Sequence, residues 1–398
     1  MEDSISNRAS DVLHMLARSM KITEESLCLC GSGKLYKYCC GSKSNEEIAF
    51  LKKQFEDTVR YRDSQGGHIS NIPQGIFLNL QRVLSSRLRC LYPKCDSKPV
   101  SCHLIAENIL RTHFGGHCLE SQLRDDLDHE AFSSTGIGIA GAMPVFCVEH
   151  DRIFFPIDRL DENLLQSPQN RFLLSFKAIA FSLRKIQILL GLDFQVELHR
   201  PFLISERLKG SPPSLIPIEL DISRFQIQHM RFAWAMKNFQ AAVDALQASN
   251  WEWFSYHERK VSGYDPIHFS SVVNPPHDLT GKRLNGDGTN IFMASNVLTA
   301  GDKQLLLLSA PNDGSSKAYG SLFQQLEKTD DETLVSIINN IMTFSSEKPL
   351  LPTSRLISPE DINRIASQKA LLDRCLKADC DDVFKLYDPE NSVSFFTN

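Results

Sequence analysis

No stretch of the 398-residue sequence reaches the roughly 18 consecutive apolar residues that cross a bilayer as a helix. The segment Met1 to Met20 has no basic start, apolar stretch and small-residue cleavage site of a secretory signal; Glu2, Asp3, Arg8, Asp11 and Arg18 are scattered through it. The expected location is cytoplasmic, with no membrane partner. There is no phosphate-binding glycine loop, no dinucleotide fingerprint and no Gly-x-Ser-x-Gly elbow, so nothing points to a dinucleotide partner or to α/β-hydrolase chemistry. Internal repeats and low-complexity tracts are also missing. Net charge is small, −5, which argues against a chain that coats nucleic acid over its whole surface. Locally, Arg82, Arg87, Arg89, Lys94, Lys98 and Arg111 stand against only Asp96 and Glu107, which fits either a basic face or a solvated loop.

What the chain does have is cysteine. There are eleven, nine of them between Cys28 and Cys147 and the other two at Cys375 and Cys380. In a reducing compartment such clusters read as metal ligands before disulfides. The first cluster runs Cys28-Leu-Cys30-Gly-Ser-Gly-Lys-Leu-Tyr-Lys-Tyr-Cys39-Cys40, four sulfurs within thirteen residues. Tetrahedral zinc takes four soft or borderline ligands at short range. Gly31 and Gly33 allow the tight turn and aim backbone N–H groups at sulfur, and Lys34 and Lys37 lie where they offset the −2 charge of a four-thiolate zinc centre.

This segment resembles the SEC-C motif, C-x-C-G-S-G-K-x-[YF]-K-x-C-[CH], at every fixed position. The motif occurs at the C-terminus of the preprotein translocase ATPase and in many otherwise unrelated bacterial proteins. The resemblance implies zinc held by Cys28, Cys30, Cys39 and Cys40. It implies a recognition module rather than an activity.

The second cluster joins Cys90-Leu-Tyr-Pro-Lys-Cys95 to a distant Cys147-Val-Glu-His150. A knuckle and a C-x-x-H pair make a second four-ligand set, Cys90, Cys95, Cys147 and His150, with treble-clef geometry as the expectation: one pair on a β-turn, the other at a helix start. The competing reading makes Cys90 and Cys147 ordinary core cysteines. The layout resembles the HNH nucleases, in which a general-base histidine follows the knuckle; His103 takes that place here. Such a histidine would deprotonate the attacking water while a catalytic Mg or Mn ion steadies the leaving oxygen. The pattern departs from that family: His150 is committed to zinc, Asp151 follows it, and Asn108 is a poor fit for the middle asparagine. A purely structural clef, with His103 as a hydrogen-bonding residue, is the alternative. The stretch Ala140 to Asp151 with Phe155-Pro-Ile157 also resembles a group of uncharacterised bacterial proteins, which adds no activity.

Other groups read more plainly. His113, His117 and Cys118 lack a fourth ligand and read as a loop. Cys375 fits the apolar stripe of a helix. Asn274-Pro-Pro-His277-Asp278 and Gly286-Asp-Gly288 read as turns, and His268 has only proximity to His277 and Asp278 to suggest a site.

The expected fold class is α+β: two small zinc modules, a SEC-C knuckle and a treble clef, fused to a helical segment and a β-rich domain. The expected divisions are an N-terminal helix (1–25), the SEC-C motif (26–45), a helical linker (46–85), the clef (86–160), a helical region (161–250), a β-rich domain (251–350) and a C-terminal helix with tail (351–398). Within these, apolar spacing predicts helices over 8–20, 45–62, 169–191, 222–248 and 331–344. Strands are expected at His268–Val273, Asn290–Val297 and Gln304–Ala310, the last two joined by a loop from Leu298 to Lys303. Ser358 with Pro359, Glu360 and Asp361 announces a final helix. The functional expectation is an intracellular protein binding two zinc ions and recognising a protein or nucleic acid; the alternative is a metal-dependent HNH-like nuclease, for which phage defence is a fitting setting.

Overall fold

The structure is a computed structural model, and it describes residues 17–18, 20–30, 32–42, 88–120, 132–159, 161–207, 222–284, 292–312, 317–345, 347, 349–375, 385–388 and 393–396. The helix expected over 45–62, most of that over 8–20, Gly31, the Gly286–Gly288 turn and Cys380 lie outside the described residues.

In chain order the elements are β1 (Ser101–His103), α1 (Glu107–Phe114), β2 (His117–Glu120), β3 (Ser133–Gly136), β4 (Ala142–Pro144), α2 (Val148–Asp151), α3 (Pro168–Arg207), α4 (Ile222–Gln247), β5 (Phe254–Ser262), β6 (Phe269–Val273), β7 (Met293–Ala300), β8 (Lys303–Pro311), α5 (Lys317–Leu326), α6 (Asp331–Phe344) and α7 (Pro359–Cys375). Helices and antiparallel sheets make this an α+β protein. None of the described helices is long and apolar enough to cross a membrane.

The chain divides into two compact units, one of residues 1–89 with 183–237 and one of residues 90–182 with 238–398. In the first, a short bridge between Leu27 and Leu35 folds the Cys28 element on itself. His229 of α4 donates from Nε2 to the Leu27 carbonyl at 2.9 Å, since a carbonyl only accepts. Arg184 of α3 is fully buried. It donates to the Arg89 carbonyl and, at 2.5 Å, to Gln187 Oε1, which satisfies a charge that would otherwise be costly to bury.

The second unit is built on a four-stranded antiparallel sheet in the order β5-β8-β7-β6. Val297, Leu306, Leu308 and Ala310 enter the core together with Leu334, Ile338 and Ile341 of α6. β7 is buried along its whole length, so both faces of the sheet are covered there. The turn between β7 and β8 is tighter than expected: pairing runs to Ala300↔Lys303, leaving only Gly301 and Asp302 as the loop. Gly301 has φ 63°, the left-handed value that a two-residue hairpin turn requires and glycine supplies without strain. β5 pairs with β8 over nine residues, from Phe254↔Pro311 to Ser262↔Lys303, yet its own sequence is largely polar, as suits an edge strand.

A second pair of strands, β2 and β3, is sewn to this sheet by two residues. Leu351 exchanges backbone hydrogen bonds with Leu119 of β2, and the adjacent Leu350 does so with His268, the residue just before β6. The helix starts follow the sequence signals. Asp330 accepts from Thr333 N at 2.7 Å, and Ser358 and Asp361 cap each other reciprocally, at 3.1 Å in both directions.

Candidate metal centres

The first centre forms where the Leu27–Leu35 bridge brings the two ends of a tight loop together. Cys28 N donates to Lys34 O at 2.8 Å and Tyr36 N to Ser26 O at 2.8 Å; Gly33, at φ 75°, makes the reversal possible. A 3-10 turn at Tyr36–Tyr38 then carries the chain to Cys39, and another begins at Cys40. A Cβ on Gly41 would meet the Tyr36 ring at 2.8 Å, so only glycine fits there. The four sulfurs of Cys28, Cys30, Cys39 and Cys40 all lie within 4.8 Å of one another. Cys30 Sγ is 3.5 Å from Cys28 Sγ and 3.4 Å from Cys39 Sγ, and Ser32 Oγ donates to Cys39 Sγ at 3.2 Å. Zn–S bonds of about 2.3 Å set the edge of a sulfur tetrahedron at about 3.8 Å, so these two edges come to within about 0.4 Å of it.

Charge inside that cage cannot be distributed evenly. Contact with Cys30 drives the Cys28 thiol up, and contact with Cys28 drives Cys40 up. Contact with Cys28 pulls Cys39 down and pulls Cys30 down to about 7. Some sulfurs must therefore keep protons for others to ionise; a divalent cation relieves this by displacing those protons. Of the two expected counter-charges, Lys37 is paired with Glu25 and lies 5.0 Å over the Tyr38 ring.

The second centre gathers ligands from two distant segments. Cys90 N donates to Ser97 O at 2.9 Å and Cys95 N to Tyr92 O at 3.1 Å, closing the knuckle; Lys94 takes φ 63° in its turn. Leu91 N donates to Val145 O at 3.1 Å and Val100 N to Phe146 O at 2.8 Å, which lays the knuckle beside the strand that delivers Cys147. β1 pairs antiparallel with β4, Cys102 opposite Met143. Cys147 is the N-cap of α2, and His150 lies in that four-residue helix. All four ligand atoms lie within 4.8 Å of one another. Cys95 Sγ to Cys147 Sγ is 3.8 Å, the sulfur–sulfur edge of a zinc tetrahedron. His150 Nδ1 is 3.5 Å from Cys90 Sγ and 3.2 Å from Cys147 Sγ, beside an ideal sulfur–nitrogen edge of about 3.6 Å. Burial pushes the Cys90 thiol up to about 12, whereas backbone N–H donation at Ser97 lowers Cys95. Two residues not singled out in the sequence complete the surroundings. The Tyr92 ring stacks on His150 at 4.0 Å and 11°, and Gln247 Nε2 donates to Tyr92 Oη at 3.3 Å.

His103 ends β1. Its Nε2 lies 3.2 Å from the Ile137 carbonyl, which makes Nε2 the protonated nitrogen and leaves Nδ1 as the base. Near it is an ion pair between a buried lysine and a half-buried aspartate. Lys177 of α3 holds its Nζ 3.6 Å from Asp158 Oδ1 and 5.0 Å over the Phe154 ring. Burial lowers Lys177, and Asp158 and Asp151 oppose that shift; burial raises Asp158, against the pull of Lys177. A lone lysine in the apolar run Phe172–Ala180 is a sequence signal for such a pair, because it must find a carboxylate. Asn108 donates to the Asp158 carbonyl at 3.0 Å.

The remaining candidates take structural places. Cys102 and Cys118 are buried outside both sets, and Cys375 lies in the core. Asp278 is the hub of a turn: Oδ1 accepts from Thr280 N, Thr280 Oγ1 and Lys282 N at 2.9, 2.7 and 3.0 Å, and Oδ2 from Gln325 at 2.8 Å. His268 meets His113, Nε2 to Nδ1 at 2.9 Å. Among the described residues, the two Cys-containing sets are the groups of three or more side chains arranged to hold a metal ion. Comparison with models of protein families, with characterised proteins and with solved structures gives no match, so these two four-ligand cages are what marks this chain.

Proposed function

We propose that the chain is a two-zinc protein that works by recognising another macromolecule, protein or nucleic acid. In this reading Cys28, Cys30, Cys39 and Cys40 hold one ion in a SEC-C-like knuckle. Cys90, Cys95, Cys147 and His150 hold the other in a treble clef. The carrying observation is the 3.8 Å Cys95–Cys147 edge with His150 Nδ1 closing the same cage. Four protein ligands leave a tetrahedral ion no open position, which is the mark of structural rather than catalytic zinc. Exposed Lys94 and Lys98, with exposed Asp96 between them, leave the knuckle a slight basic excess suited to an acidic partner.

A second reading, an HNH-like nuclease, draws support from His103, whose Nε2–H is committed to Ile137 O, which leaves Nδ1 as the nitrogen with a free lone pair in the neutral ring. Against it, the Asp158 carboxylate that lies near His103 is already paired with Lys177. Zinc content and cleavage decide between them. Two zinc ions per chain, with no Mg²⁺- or Mn²⁺-dependent cut in single- or double-stranded DNA or RNA, is the expected result. Cleavage that disappears in His103→Ala would establish the nuclease instead.

A further inference from the structure

We infer that Tyr92 and Gln247 are positioning residues for the second metal centre, holding the imidazole of His150 in the plane from which Nδ1 meets the ion. This rests on the metal reading of the Cys90 set. A ligating imidazole must keep its ring plane through the metal, so a group that holds the plane supports the bond. His150 sits on a helix of four residues, too short to fix a side chain by its own packing. Its flat face is instead covered by Tyr92, parallel to 11° with centroids 4.0 Å apart. In that orientation Nδ1 faces the sulfurs of Cys147 and Cys90.

Tyr92 lies between Cys90 and Cys95, so the plate is carried by the same knuckle as two of the ligands. Its hydroxyl accepts from Gln247, the last residue of α4, which anchors the plate from outside the knuckle. The contact also depends on the ion. An imidazole bound to a dication is electron-poor, and the face of a tyrosine ring is negative, so the stack is tighter in the loaded site than in the empty one. Tyr92 thus slows release of the metal as well as aiming its ligand.

The test uses the full chain loaded with Zn²⁺ or Co²⁺ and a chromogenic chelator. The Cys₃His site is separated from the Cys₄ site by its Co²⁺ ligand-field bands. Outer-shell partners of metal ligands typically change affinity about 10–100-fold. Tyr92→Ala should release the second-site ion faster by about that range. The first-site phase should be unchanged. Tyr92→Phe, which keeps the ring face but loses the Gln247 anchor, and Gln247→Ala, which loses the same hydrogen bond, should both fall between wild type and Tyr92→Ala. Nitrogen-15 spectra of labelled histidine should show His150 metallated at Nδ1 and protonated at Nε2 in the wild type, and a mixed or broadened state in Tyr92→Ala. If Tyr92→Ala does not fold, Tyr92→Leu takes its place, with bulk but no aromatic face. A wild-type release rate and histidine spectrum in Tyr92→Ala, or in Tyr92→Leu, would overturn the inference. Cys147→Ser is the control for the metal reading itself: if it keeps as much metal as the wild type, that reading fails first and the positioning role with it.

Discussion

The first cage takes its four sulfurs from thirteen consecutive residues, whereas the second reaches from Cys95 to Cys147, 52 residues away. The donor atoms are nearly the same; the length of chain enclosed is not. An ion in the first cage holds one small loop in shape. An ion in the second closes a long loop that contains β1, α1, β2, β3 and β4, so it bears on the folding of everything within. Similar ligand chemistry therefore predicts unlike consequences when a ligand is lost.

The largest effect should come from Cys90→Ser or Cys147→Ser. Treated as a cross-link over about 50 residues, the ion is worth about 4 kcal/mol of loop-closure entropy. These variants should be largely insoluble or melt well below the wild type in a thermal scan. A wild-type Tm would remove the difference between the cages. Next in size is acid sensitivity at the His113–His268 contact. Burial lowers both histidines, His268 strongly. The native pKa values thus lie below the unfolded value of about 6.5, and the unfolded chain binds more protons there. Their share of stability is full above that pH and lost as pH falls below it. His268→Asn should flatten the fall of Tm between pH 7 and 5 relative to the wild type; an unchanged slope would assign the acid loss to the metal cages alone.

Smaller again is Cys28→Ser or Cys39→Ser. About one zinc per chain should be lost by elemental analysis while the main melting transition stays in place, because a short motif couples its own folding to metal and little else. Loss of the main transition would make the two cages equivalent. Smallest is Cys102→Ser. Cys102 Sγ accepts from Phe146 N at 3.4 Å and can donate to Val100 O at 3.5 Å, partners a hydroxyl can keep. Metal content should be unchanged and Tm lowered only slightly. Damage equal to that of Cys147→Ser would mean that the cage is drawn from different sulfurs.

How much of this was legible depended on how local the signal was. The α7 start could be read because Ser358 and Asp361 cap each other within one turn, and α6 because its apolar stripe is continuous from Leu334 to Met342. The composition of the cages could be read for the same reason in the first, and from paired spacing in the second. β5 was not legible: Glu258-Arg259-Lys260 breaks the alternation, and only pairing with β8 makes it a strand. His268 showed no sign of meeting His113, since that contact is made across 155 residues and neither side chain belongs to a periodic pattern. Lys177 was hidden by its apolar neighbours, although the same neighbours are what oblige it to find Asp158.

The two residues that stitch β2 to β6 have a consequence for the order of synthesis. Leu350 and Leu351 leave the ribosome more than 230 residues after Leu119, the strand residue that Leu351 pairs with. Until then β2 has an open edge, a template for pairing with the wrong strand. Both ligand pairs of the second cage have emerged long before. On the two-zinc reading, a nascent chain that captures an ion at that stage holds β1 and β4 together while the outer edge of β2 waits for its partner, and metal supply during translation should then govern how much correctly folded chain is made.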